Sequence, residues 1–75
     1  MSRETALKKY SVRISGHSTS VTLEPPFWDA LCDIAQSRAL SMNSLISEID
    51  EKRAENNLSG ACRLYVLKYL QDSIA

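Results

Sequence analysis

Few side chains in this sequence could do covalent chemistry. Ser11, Ser15, Ser18 and Ser20 supply hydroxyls, but no carboxylate-supported histidine accompanies them, and His17 is the single histidine. A nucleophile needs a base that is itself held in place, so catalysis is not expected and the chain is read as a non-enzyme. Cys32 and Cys62 sit inside apolar helical patterns, with neither a CxxC pair nor a histidine cluster. That setting points to small core residues and not to a disulfide or zinc site, and no cofactor is expected. His17 fits a turn better than a phosphate or pH-sensing contact. Trp28, Tyr65 and Tyr69 fall in helical apolar patterns, where core or dimer contact outweighs ligand stacking. Arg13 stays open: beside Ser20 on a hydroxyl-lined face, its guanidinium suits DNA contact or plain solvation equally well.

These residues need elements to hold them. Thr19, Val21 and Leu23 alternate with Ser20 and Thr22, so an extended chain turns an apolar row to one side and a hydroxyl row to the other. Such a strand cannot stand alone and must pair with an upstream strand or with a second copy. Tyr10, Val12 and Ile14 alternate with Ser11, Arg13 and Ser15 and supply an upstream candidate. Gly16-His17 between them suits a type II′ hairpin turn. In that register Ser15 faces Ser18, Arg13 faces Ser20, Val12 faces Val21 and Tyr10 faces Leu23. A one-residue slip would break the match of apolar with apolar.

Glu24-Pro25-Pro26 ends the strand and leads into a helix, since proline is tolerated where the first amides lack partners. Phe27, Leu31, Ile34 and Ala35, flanked by Trp28 and Cys32, share one helical face up to about Arg38. Ser41 can cap a second helix whose apolar stripe is Leu45, Ile46 and Ile49. The charged run from Asp50 to Glu55 and Asn56-Asn57 close it. A third helix is expected from about Ser59 to Gln71, with apolar residues around most of its circumference, which implies burial on more than one side.

At 75 residues the chain is expected to form a single domain, 1–75, with residues 1–7 as a loose arm. Its net charge is zero, but residues 1–23 carry four cations against one acid, while residues 24–56 carry three cations against seven acids. The strand end is basic and the helical middle acidic. No apolar leader is apparent, and the stretch Ala61 to Leu70 is interrupted by Arg63 and Lys68, so neither membrane insertion nor export is expected and the reading is cytoplasmic.

The order of strand Thr19–Leu23, helix Phe27–Arg38 and Ser-capped helix Ser41–Arg53 resembles the ribbon-helix-helix family of bacterial and phage DNA-binding proteins. The stretch Gly16-His17-Ser18-Thr19-Ser20-Val21-Thr22-Leu23-Glu24, followed by Phe27-Trp28-Asp29-Ala30-Leu31, is similar to a subgroup of small stand-alone members. The resemblance implies a mainly α fold with a short N-terminal β ribbon: an intertwined homodimer, here with an added N-terminal strand and a third C-terminal helix. Thr19 to Leu23 would pair antiparallel with its own copy, and Val21, Leu23, Leu31, Ile34, Leu45 and Ile49 would form the dimer core. Ser18, Ser20 and Thr22 would face DNA, with Lys9 and Arg13 beside them, and the helix start from Ser41 to Asn43 would offer amides to phosphate.

The implied function is sequence-specific DNA binding by a small transcriptional regulator or antitoxin-type repressor. The alternative is a dimeric protein-interaction module that keeps the scaffold without reading DNA. Three features differ from the common family pattern. The reading positions carry short hydroxyls, Ala39 stands where glycine is frequent, and the added strand could widen the ribbon. Four strands span roughly 14 Å at about 4.8 Å spacing, against a major groove about 12 Å wide. The cysteines give a first prediction. Changing both to alanine should lower stability only modestly and leave self-association intact, whereas zinc found in the native protein by metal analysis would contradict the core assignment.

Overall fold

A computed structural model describes residues 6–54 and 57–74. The chain runs β1 (Lys8–Ile14), β2 (His17–Leu23), α1 (Pro25–Ser37), α2 (Met42–Lys52) and α3 (Leu58–Ile74). The two strands form one antiparallel sheet, so the strand that leads into α1 finds its partner upstream in the same chain. Of the expected loose arm, residues 1–5 lie outside the described residues, and Leu7 is exposed.

The hairpin register differs from the expected one. Ser15 and Gly16, not Gly16 and His17, are the turn residues, and their φ values of 52° and 81° are both positive. Two left-handed residues in succession make a type I′ turn, whose twist matches that of the strands it joins. Tyr10 therefore faces Val21, Val12 faces Thr19, Ser11 faces Ser20, and Arg13 faces Ser18. The shift preserves parity, so the apolar row still falls on one side. Val12, Val21 and Leu23 are buried on that side, and Tyr10 and Ile14 pack against them.

α1 follows β2 after Glu24 alone, with prolines at its first two positions and the Glu24 carbonyl accepting from Phe27 N at 2.9 Å. It starts at Pro25, slightly ahead of the expected Phe27. Its C-terminus closes through Ala39 N to the Gln36 carbonyl at 3.1 Å and Leu40 N to the Ala35 carbonyl at 2.8 Å. That paired pattern is a Schellman cap, which demands a left-handed residue, and Ala39 supplies it at φ 58°. α2 starts as expected: Ser41 Oγ accepts from Ser44 N at 3.0 Å. α3 is longer than expected, and Asn57, assigned from sequence to the end of α2, instead caps it by accepting from Gly60 N at 2.6 Å.

One core joins all five elements. It contains Val12, Val21, Leu23, Leu31, Ile34, Ala35, Leu45, Ile46, Ile49, Ala61, Cys62 and Val66. Each fully buried leucine or isoleucine contributes about 1.5–3 kcal/mol relative to exposure. The six residues that the resemblance assigns to a dimer core are thus buried within a single chain. Tyr10 stacks on Trp28 with centroids 4.2 Å apart and planes within 3°, which fastens the hairpin to α1. Both cysteines are free. Burial pushes the Cys62 thiol up to about 11 and also raises Cys32, where Asp29 and Asp33 add to the effect, so both are protonated and poor nucleophiles.

Polar links set the helix directions at the surface. Arg38 holds Glu48 through two nitrogens, at 2.7 and 3.1 Å, and donates to Tyr65 Oη at 2.8 Å, tying α1, α2 and α3 together. Arg63 on α3 donates to Glu24 at 3.1 Å and lies over the Phe27 ring. The Arg38 hydrogen bond lowers the Glu48 carboxyl; the Glu24 backbone amide, then Arg63, lower that of Glu24. Both therefore favour the fold above about pH 4, and that contribution is lost in acid. Among the described residues, no helix is long and apolar enough to cross a membrane.

The strained cap is testable. Ala39→Gly removes the Cβ from a left-handed position and should raise stability by about 1 kcal/mol, read as a higher urea midpoint at unchanged m-value. An unchanged or lower midpoint would show that the cap does not have this geometry in solution.

Candidate nucleic-acid interface

With the apolar row turned inward, the other face of the hairpin carries Lys9, Ser11 and Arg13 from β1 and Ser18, Ser20 and Thr22 from β2. The cross-strand pairs are Lys9 with Thr22, Ser11 with Ser20 and Arg13 with Ser18. Thr22 is half-buried and the other five are exposed. Residues two apart on one strand lie about 6.6 Å from each other. Two cations thus alternate with hydroxyls along a face only two strands wide. Among the described residues, no carboxylate pairs with Lys9 or Arg13. The expected neighbour of Arg13 was Ser20; the observed turn makes it Ser18.

The start of α2 is joined to this face. Asn43 Oδ1 accepts the Arg13 backbone N–H at 3.0 Å, linking residues far apart in sequence. At the other edge, Ser59 Oγ on α3 accepts the Thr22 N–H at 3.1 Å. Both outer edges of the ribbon are therefore fastened by side chains from helices that pack beneath it. The Asn43 side chain keeps its NH₂ donors for a ligand. Ser41 is committed to capping, with its hydroxyl also 3.0 Å from that of Ser44. Glu48 and Glu51 follow on α2 beside Asn43 and Ser44. Anion attraction at this helix end is thereby confined to its first turn.

The structure thus brings Lys9, Arg13, Ser18, Ser20 and Thr22 onto one face, with Asn43 at its margin, while Ser41 is engaged in capping α2. Two contributors escaped the sequence reading: Ser11, which completes the outward row, and Ser59, which anchors the β2 edge. Ser11 was legible from its two-residue spacing to Arg13. Nothing local in the sequence marks Ser59 or the Asn43 bridge. Among the described residues, no group of histidine, cysteine or carboxylate side chains could hold a metal ion.

Comparison with known proteins bears on this arrangement. A family model described as ribbon-helix-helix domain matches residues 7–70. No curated protein matches the chain. Among solved structures, the fold is similar to that of an uncharacterized protein from Bordetella pertussis Tohama I, with a TM-score of 0.74 and 29% sequence identity. The alignment covers 91% of this chain and 58% of the other, so this chain spans less than two thirds of that protein's length.

The Asn43 bridge can be checked directly. Asn43→Ala should cost about 0.5–1.5 kcal/mol and speed hydrogen exchange at the Arg13 amide, whereas Asn43→Asp retains an acceptor and should preserve protection. Equal exchange at Arg13 in wild type and Asn43→Ala would rule the bridge out.

Proposed function

Because this chain belongs to the ribbon-helix-helix domain family, whose members are in general DNA-binding regulators, we propose that it binds duplex DNA sequence-specifically through the outer face of its hairpin. In this reading it is a cytoplasmic transcriptional regulator or antitoxin-type repressor. The observation that carries the reading is the two-stranded face on which Lys9 and Arg13, with no acidic partner among the described residues, alternate with Ser11, Ser18, Ser20 and Thr22. A major groove about 12 Å wide admits a two-stranded ribbon. Within one chain the ribbon is two strands wide.

Each side chain has a distinct task. Lys9 and Arg13 neutralise phosphates and fix the register of the ribbon on the duplex. Ser18, Ser20 and Thr22 exchange hydrogen bonds with base edges, with less discrimination than a bidentate side chain would give. Asn43 and the first-turn amides of α2 hold one flanking phosphate. Acidic residues on α2 keep the remainder of that helix off the backbone.

A second reading, a protein-interaction module on the same scaffold, is favoured by the exposed leucines of α3. The two are separated by selection from random duplex DNA, followed by affinity measurement at two salt concentrations. A DNA reader yields an enriched sequence and a negative salt slope of about 0.9 per neutralised phosphate. Arg13→Ala should weaken binding to all duplexes and shallow that slope. Ser20→Ala and Thr22→Ala should mainly reduce preference for the selected sequence. Absence of enrichment, together with unchanged residual binding in Arg13→Ala, would reject the DNA reading in favour of a protein partner.

A further inference from the structure

α2 and α3 meet in an apolar groove of about 360 Å³. On the α3 side it is lined by Ala61, Leu64, Tyr65 and Lys68, whose spacing of i, i+3, i+4 and i+7 places them on one helix face. Cys62 and Val66 point elsewhere, into the core. Buried Ile49 of α2 and Ala61 lie deepest, while Leu64 is 52% exposed beside them. The Tyr65 hydroxyl accepts from Arg38 at 2.8 Å, so its ring is already fixed in place as a wall of the groove.

The rim of this groove is basic, although residues 24–56 carry more acids than cations. Lys52, Arg53 and Lys68 line it against one acid, Glu48. Arg38 holds that carboxylate through two nitrogens, at 2.7 and 3.1 Å. Arg53 is paired with Asp50. Lys52 lies 3.9 Å from the already engaged Glu48, with its side chain 76% exposed. Among the described residues, no ion pair involves Lys68. One lysine therefore stands on each bank of an apolar floor, Lys52 on α2 and Lys68 on α3.

We propose that this groove binds an amphipathic helical segment of a partner protein, one whose apolar side chains are flanked by aspartate or glutamate. Laying an apolar helix face into a groove is a general mode of peptide recognition. The stretch from Ala61 to Lys68 is about 10 Å long, which matches two turns of such a segment. Apolar anchors at i and i+4 enter between Ile49 and Tyr65, and acids on either side of them meet Lys52 and Lys68. The volume would suit a small molecule, but such ligands need most of their surface enclosed, and this groove is open along its exposed lysines and Leu64. A phosphate backbone would satisfy the lysines and leave Leu64 in water. None of the six outward hairpin residues lines the groove, so the inference does not rest on DNA binding.

The test is selection on the full chain from displayed random peptides long enough for about four helical turns, followed by affinity measurement with the enriched peptides. These should carry apolar residues at i and i+4 with acids beside them, and adding one should shift the amide NMR signals of Leu64, Tyr65 and Lys68. Lys68→Glu, at an exposed site and with an unchanged far-UV spectrum, should weaken binding at least about tenfold. Changing the acids of the peptide to lysine should restore binding to that variant. Leu64→Ala should also weaken binding, whereas Leu70→Ala, on the side of α3 that meets α1, should leave it unchanged. No enrichment, enriched peptides without acids, or equal binding by Lys68→Glu would each overturn the proposal. So would displacement of the peptide by duplex DNA, or a self-associated chain that the peptide dissociates, which would assign the groove to a polyanion or to a second copy.

Discussion

The type I′ turn at Ser15 and Gly16 is the constraint on which the rest of the molecule depends. By holding two successive residues at positive φ, it folds β1 back on β2 and gives the strand entering α1 a partner within its own chain. Only Glu24 separates β2 from α1, so the plane of the ribbon fixes where α1 departs. The inward row then seats on the helices, Tyr10 stacks on Trp28, and Asn43 and Ser59 fasten the two edges. An exposed strand edge invites further pairing. Here each edge is held by a side chain projecting from the domain's own helices.

Much of this architecture was legible in the sequence, and the limits of legibility have physical causes. The helix faces around Leu31 and Ile34, and around Leu45 and Ile49, follow from 3.6-residue periodicity, which survives any tertiary detail. The outward hydroxyl row follows from period-two alternation. The register did not follow, because Gly16 suits either of two turns and both keep the same parity. Val12 opposite Val21 and Tyr10 opposite Val21 both look well matched on paper. Ser15 lacks the usual signature of a left-handed residue, and it was the residue that decided. Asn57 was assigned to the wrong helix for a related reason: asparagine serves at both helix ends. The Asn43 bridge to Arg13 joins distant segments and leaves no local pattern.

Net neutrality conceals an ordered charge distribution. Several of the acids in the helical part are satisfied locally: Glu48 by Arg38 and Lys52, Asp50 by Arg53, and Glu24 by Arg63. Pairs this exposed contribute little to stability individually. Their larger effect is on the field, since they leave Arg38, Lys52, Arg53 and Arg63 compensated, while Lys9 and Arg13 on the hairpin pair with no carboxylate among the described residues. A neutral chain can therefore still present a positive face to a polyanion.

The molecule presents two surfaces of different chemistry. The apolar residues around the circumference of α3 face both inwards at Val66 and outwards at Leu67. The hydroxyl and cation row lies on the hairpin instead. A polar face and an apolar one are thus divided between opposite ends of the chain, the first set by the two-residue period of the ribbon and the second by the residues spread around α3.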